Sequence, residues 1–236
     1  MQNSPINIMI NQRNLLGTLS LVLLMPNLTL PLARALEPSG NLPSAAIQQV
    51  VASQLMTSSP DGNFYPERMI SRAELAAILV KVFNLDQRET VKGREVKNIP
   101  DVPPSHWAFK DIQTVLRTDI MKGYRGNLFF PNQRVTRAEA LAIFAQAYGV
   151  FQFGDDIVNE ILDQHPDAEL IPVWARKAIA TVVAEGLINT DDHNNISPLR
   201  PMTRGDMAYV LSQYLQRQQG QLGMLVTPDV IPPPEK

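Results

Sequence analysis

The 236-residue chain contains no cysteine, which removes disulfides, thiolate nucleophiles and thiolate metal sites at once and leaves packing alone to hold the fold. Histidine is scarce as well. His106, His165 and His193 are the whole supply, and no two stand at the i, i+4 spacing of a helical zinc pair. Neither sign of charge dominates: 21 basic and 23 acidic residues give a formal net charge of −2, without the basic stripe that nucleic acid demands. After residue 25 no run is long and apolar enough to cross a hydrocarbon layer of about 30 Å. These absences leave no expected cofactor, metal, nucleic-acid partner or transmembrane segment in the mature chain.

The first 35 residues read as a secretory signal. Arg13 is the only early positive charge, an apolar run follows from Leu15 to Met25, and Ala33-Arg34-Ala35 supplies an A-x-A cleavage site. The expectation is export, with cleavage after Ala35, to the periplasm, cell envelope or cell surface. A retained membrane anchor is the alternative, and the apolar stretch is short for one. At the other end, the polar stretch from Gln216 and the prolines after Pro228 read as a flexible tail over 217–236.

Between these ends a tetrad recurs: Ser71-Arg72-Ala73-Glu74, Thr136-Arg137-Ala138-Glu139 and Thr203-Arg204-Gly205-Asp206. The intervals are 136 − 71 = 65 and 203 − 136 = 67 residues. Trp107 and Trp174 each lie 29 residues before their tetrad, and the same column in the first copy holds Leu42. Apolar columns agree between these anchors (Ile47, Ile112, Ile179; Val51, Leu116, Val183; Leu55, Ile120, Leu187; Phe64, Phe129, Ile196), and Pro66, Pro131 and Pro198 share another. Repeats of this length mean one supersecondary unit stacked on copies of itself. The boundaries follow: a degenerate first motif over 36–86, a polar linker over 87–98, a second motif over 99–150 and a third over 151–216.

The apolar spacing in Trp107–Ile120 and Trp174–Leu187 predicts that each copy opens with a helix of about four turns. A loop follows, with glycine and asparagine at positions that tolerate positive φ: Gly123 to Asn127 in copy two, Thr190 to Asn195 in copy three. A short extended piece leads to the tetrad. There the hydroxyl residue suits an N-cap, the acid three residues on completes a capping box, and Ile70, Val135 and Met202 are placed to staple onto the first turn. A second amphipathic helix follows in every copy.

Capping does not explain Arg72, Arg137 and Arg204, which sit at the first helical position, where a cation opposes the helix dipole. Two accounts are open. The guanidinium and free helix N–H groups could bind an anion such as a carboxylate; or the arginine could pair with an acid or with loop carbonyls of the neighbouring module.

The second copy resembles the S-layer homology domain family of bacterial envelope proteins, on Ile99-Pro100-Asp101, His106-Trp107-Ala108, Ile112, Gly123-Tyr124, Asn127, Phe129, Pro131 and Val135-Thr136-Arg137-Ala138-Glu139. The third copy resembles it on Asp167-Ala168, Ile171-Pro172, Trp174-Ala175, Gly186-Leu187-Ile188, Pro198 and Thr203-Arg204. The resemblance implies a mainly α fold, with three tandem helix-loop-helix motifs forming a pseudo-threefold helical spindle. It also implies non-catalytic attachment to the wall: grooves between motifs take a secondary wall polymer or peptidoglycan-linked glycan, often bearing an acidic pyruvyl group. By that analogy Arg72, Arg137 and Arg204 meet the acid, Trp107, Trp174 and Tyr124 lie against sugar, and Gly123, Thr136 and Glu139 stand beside them. Read without the analogy, the two indoles are expected to be core.

Copies one and three lack the Gly-Tyr pair, and copy three carries Gly205 and Asp206 in place of Ala and Glu. The grooves involving copy two are therefore the expected sites. The alternative to glycan binding is a repeat protein that docks another envelope protein, since repeat arrays expose extended surfaces. A wall-modifying enzyme ranks last: Glu74, Glu139 and Asp206 are committed to caps, Asp155 and Asp156 lie in a polar stretch without a partner motif, and Asp191 to Asn195 lacks the glycine and glutamate of a calcium loop.

Overall fold

The computed structural model describes residues 44–88 and 97–225. The expected signal segment, Leu42, most of the linker and the last eleven residues of the tail lie outside the described residues. Seven α-helices make up the described chain, which has no β-strand: α1 Ser44–Ala52, α2 Arg72–Phe83, α3 Phe109–Arg117, α4 Arg137–Tyr148, α5 Asp155–Leu162, α6 Arg176–Ala184 and α7 Arg204–Leu225.

The three copies close into a ring. The opening helix of each copy packs on the capped helix of the copy before it: α3 on α2, α6 on α4, and α1 on α7. The capping boxes form as the tetrads require. Glu74 N–H donates to Ser71 Oγ while Ser71 N–H donates to the Glu74 carboxylate, and Thr136 with Glu139 and Thr203 with Asp206 repeat the exchange.

Immediately before each cap, Ile70, Val135 and Met202 meet at the pseudo-threefold axis and are buried. Their backbones form a cycle: Ile70 N–H donates to Met202 O at 3.0 Å, Met202 N–H to Val135 O at 2.9 Å and Val135 N–H to Ile70 O at 3.4 Å. Two to three turns along the capped helices, Phe83, Phe144 and Tyr214 pack against one another at steep angles, with ring centroids 5.1 to 6.1 Å apart. The polar backbone cycle at one end and the aromatic cluster further along pin the three helices to a common axis.

The repeat is also legible in the backbone. Three positive-φ residues recur in each copy: Gln54, Asp119 and Gly186; Gly62, Asn127 and Asn194; Tyr65, Phe130 and Ser197. The first set ends the opening helix; α3 and α6 have nine residues rather than four turns, and they start only after Trp107 and Trp174. The last set is costly for side chains such as Tyr65 and Phe130. Two carboxylates hold the strained corner: Asp101 accepts the N–H groups of Phe129 and Phe130, and Asp167 those of Ile196 and Ser197.

Two segments differ from the sequence expectation. The stretch after residue 150 contains α5, where Asp155 and Asp156 occupy the first turn, favourably placed against the dipole, and Val158 and Leu162 bury one face one turn apart. The last helix runs to Leu225, nine residues into the segment read as tail. The polar residues 217–219 lie on the helix surface, where Arg217 reaches Glu185 in an ion pair.

Candidate functional site

The tetrad arginines cross-link neighbouring copies. In each, Nε and Nη2 donate to two carbonyls of the next copy's loop: Arg72 to Phe129 and Lys122, both at 2.8 Å; Arg204 to Phe64 at 2.9 Å and Thr57 at 2.6 Å; Arg137 to Ile196 at 2.7 Å and Asn189 at 2.5 Å. The three arginines therefore form a second cycle, and the account in which they bond loop carbonyls holds. The helix amides expected to be free for an anion are taken: those of Arg72, Arg137 and Arg204 donate to Gln133, Arg200 and Arg68 of the next copy, and the next residue's amide to Pro131, Pro198 or Pro66. With these amides satisfied by carbonyls, the unfavourable dipole position of the arginine costs little.

What remains is the third nitrogen, and here the copies diverge. Among the described residues nothing bonds Nη1 of Arg72 or Arg204, and neither atom is sealed from solvent. Nη1 of Arg137 is fully used, donating to Asn189 Oδ1 at 3.0 Å and pairing with Asp206 at 2.9 Å.

Arg72 lines a groove of 720 Å³. Its walls include Gly123 and Tyr124 from the copy-two loop, Glu139 from α4, and Trp174 and Lys177 from copy three. The Arg72 guanidinium lies 4.8 Å from the Tyr124 ring centroid and 4.6 Å from that of Phe129, so its plane is fixed from both sides of the loop. Five of the residues singled out from sequence thus meet in one place: Arg72, Gly123, Tyr124, Glu139 and Trp174. The equivalent groove at Arg204 is smaller, 170 Å³, and is lined by Thr57 and Met56 from the copy-one loop, Glu74 and Lys81 from α2, and Trp107 from copy two. Arg204 stacks at 4.4 Å on Phe64.

The indoles are not core. Trp107 is 65 % exposed and Trp174 63 %, because each lies in the turn before its helix, where the apolar columns that follow it turn inward. Each stands at the rim of a groove that holds an arginine from a different copy.

The third pair of copies is closed. Arg137 is only 1 % exposed, and burial pushes its pKa down to about 10, against the opposing pull of Asp206, so it stays a cation at neutral pH. Asp206 accepts from Arg200 through both oxygens at 2.6 and 2.8 Å, from Asn189 Nδ2 at 2.8 Å and from Thr203 N–H. Burial pushes its pKa up, but the Arg200 hydrogen bonds and the Arg137 charge outweigh burial and hold it below the usual carboxylate range. Thr136, also singled out from sequence, has its Oγ1 engaged with Glu139 in the cap.

The sign of the Asp206 shift fixes a pH dependence. Its folded pKa lies below the unfolded value, so its contribution is fully present above about pH 5 and is lost as pH falls through the carboxylate range and beyond. Urea unfolding from pH 7 down to about 3 checks this: Asp206→Asn starts less stable, and its stability falls less steeply with acid than that of the parent.

Sequence reading did not single out Asp101, Asp167, Asn189 or Lys177 as parts of the site. Asn189 and Lys122 occupy one column, 67 residues apart, but only the contact across copies gives that column a role.

Three segments, residues 40–76, 98–141 and 167–208, match the S-layer homology domain family. The chain is 30 % identical over 174 residues to the surface-layer 125 kDa protein of Lysinibacillus sphaericus, covering 72 % of this chain and 14 % of that protein. It is 29 % identical over 161 residues to the cellulosome-anchoring protein of Acetivibrio thermocellus, covering 67 % and 34 %. With the amylopullulanase of Thermoanaerobacterium thermosulfurigenes it shares 24 % identity over 172 residues, 72 % of this chain and 9 % of that enzyme. The chain thus spans about a third or less of each relative's length.

Proposed function

The chain belongs to the S-layer homology domain family, and from that premise we propose that it is an exported, non-catalytic binding protein that attaches to the bacterial cell surface by holding a wall glycan in two inter-copy grooves. The observation that carries this reading is the repeated pairing of an arginine Nη1, left over after two loop carbonyls are satisfied, with an exposed indole from a third segment. A carboxylate or pyruvyl acid suits the guanidinium, which is held rigid and accepts no proton loss near neutral pH. An indole or phenol face suits the C–H face of a sugar ring.

The grooves at Arg72 with Trp174 and at Arg204 with Trp107 are the binding sites in this reading, with Gly123, Tyr124 and Glu139 completing the first. Arg137 belongs to the internal pair with Asp206. The relatives support attachment over catalysis: a surface-layer protein, an anchoring protein and an amylopullulanase share the same stretch with this chain, and that stretch is a small part of each.

Co-sedimentation of residues 36–236 with purified wall sacculi tests the proposal. Most of the protein pellets with sacculi, a soluble wall-glycan extract competes it off, and Trp107→Ala/Trp174→Ala leaves it in the supernatant while its circular dichroism is unchanged. Retention of the double variant on sacculi at parental affinity rules out the grooves. Binding that follows an envelope protein and survives removal of the glycan establishes protein docking instead.

A further inference from the structure

Beside the Arg204 groove a larger cleft of 690 Å³ is lined by Glu67, Arg68, Ser71, Glu74, Trp107, Asn132 and Arg134. It shares Trp107 and Glu74 with that groove, so one exposed indole serves both. Arg68 and Glu74 are paired with each other, and Glu74 also accepts the Ser71 N–H. Among the described residues the side chains of Glu67, Asn132 and Arg134 bond nothing. The cleft's two cations and two anions cancel, and an acceptor (Glu67), a donor (Arg134) and a group that is both (Asn132) surround an aromatic face. Such a set suits a polyol: carboxylate and guanidinium take hydroxyl groups from opposite sides while the ring's C–H face rests on the indole.

The copies differ at this point. Around Trp174 the columns equivalent to Glu67, Arg68, Asn132 and Arg134 hold Asn132, Gln133, Leu199 and Pro201. There the two copy-three positions offer an exposed leucine and an imino acid in place of an amide and a guanidinium. The Arg72 groove is itself roomy, 720 Å³, whereas the Arg204 groove at 170 Å³ is about a quarter of that and lacks the space to bury more than the acid-bearing end of a glycan.

Resting on the glycan reading above, we propose that the cleft at Glu67, Asn132 and Arg134 is a second sugar subsite, which takes the uncharged sugar residue next to the acid-bearing unit held at Arg204. The two grooves are then unequal. The one at Trp174 binds a single acidic unit as well as a longer fragment, and the one at Trp107 prefers the longer fragment.

The chain has only two tryptophans, one at each groove, so Trp174→Phe and Trp107→Phe each leave a fluorescence reporter in one groove. The probes are a pyruvylated N-acetylhexosamine and the same unit extended by one neutral N-acetylhexosamine, in both anomeric linkages. In Trp174→Phe the extended probe binds about tenfold tighter than the single unit, the effect of one or two hydrogen bonds to charged groups. Adding Glu67→Ala and Arg134→Ala abolishes that gain and leaves the single-unit affinity unchanged. In Trp107→Phe the two probes bind alike. Equal affinities in Trp174→Phe, or a gain that survives the two alanines, overturn the subsite and leave the glycan reading standing. No response from either reporter to either probe overturns both.

Discussion

Arg137→Ala loses more stability than the same change at either of the other tetrad arginines, about 3–5 kcal/mol, the range for breaking a buried ion pair by removing one partner. The guanidinium is enclosed and makes four contacts: the Ile196 and Asn189 carbonyls, the Asn189 amide oxygen, and Asp206, with Nε, Nη1 and Nη2 all engaged. Its removal leaves Asp206, itself almost fully buried, with Arg200 as the one remaining cation, and that side chain is 41 % exposed. Arg72→Ala strands only the Phe129 and Lys122 carbonyls and opens onto a groove that water already enters, so its cost is about 1–3 kcal/mol. Urea unfolding separates the two, and a midpoint shift without a change of slope confirms that both act on stability. Replacing the pair together, as Arg137→Met/Asp206→Leu, restores much of the loss because no buried charge is left unpaired, Arg200 being exposed enough to turn to water. If Arg137→Ala costs no more than Arg72→Ala, the third inter-copy space is open rather than locked.

The contrast between these arginines marks how far the sequence could be read. Triplication, the capping boxes and the loop residues are all local: a hydroxyl and an acid three residues apart, or an asparagine that tolerates positive φ, report their roles without reference to distant chain. The arginine's role is not local. Nε of Arg72 meets a carbonyl 57 residues on and Nε of Arg204 one 140 residues back, so the column identifies the residue but not its partner. The helix amides looked free because helix starts leave amides free; the ring of copies supplies carbonyls that no single copy contains. The same reason hides the exposure of Trp107 and Trp174. Their apolar character suits a core, and only the late start of each opening helix, at Phe109 and Arg176, shows that they stand outside it.

The exchange of glutamate for aspartate at 206 was visible as a departure, yet its consequence depends on geometry. Glu139 bends back to its own cap, bonding Thr136 N–H and Oγ1, and faces Arg72 across an open groove. The shorter Asp206 does the same cap duty with one oxygen and reaches Arg137 with the other, helped by the Asn189 amide and by Arg200. In effect the third copy supplies its own carboxylate to an arginine whose counterparts, Arg72 and Arg204, keep an unbonded Nη1. A family motif retained in sequence can therefore be spent internally, and the residues that decide this, Asn189 and Arg200, lie outside the tetrad.

Arg72→Ala/Arg204→Ala abolishes wall binding in the proposed function, while Arg137→Ala, once its lower stability is allowed for, does not. Each open groove offers one guanidinium nitrogen to the acid of the glycan, and a charge-assisted hydrogen bond of this kind contributes about 1.5–3 kcal/mol, so losing it weakens one groove by roughly 10- to 100-fold. Two grooves on one chain act together on a multivalent wall, so the loss from both exceeds that from either. Sacculus binding isotherms at a temperature well below every variant's unfolding midpoint give the comparison directly. Lysine replacements sharpen it: Arg72→Lys/Arg204→Lys keeps both charges but cannot bond two loop carbonyls and a ligand through one planar group, so it binds little better than alanine. Full binding by the lysine variant means that charge alone recruits the glycan. Full loss in Arg137→Ala at a temperature where it remains folded means that the third space also takes ligand, which the Asp206 contacts argue against.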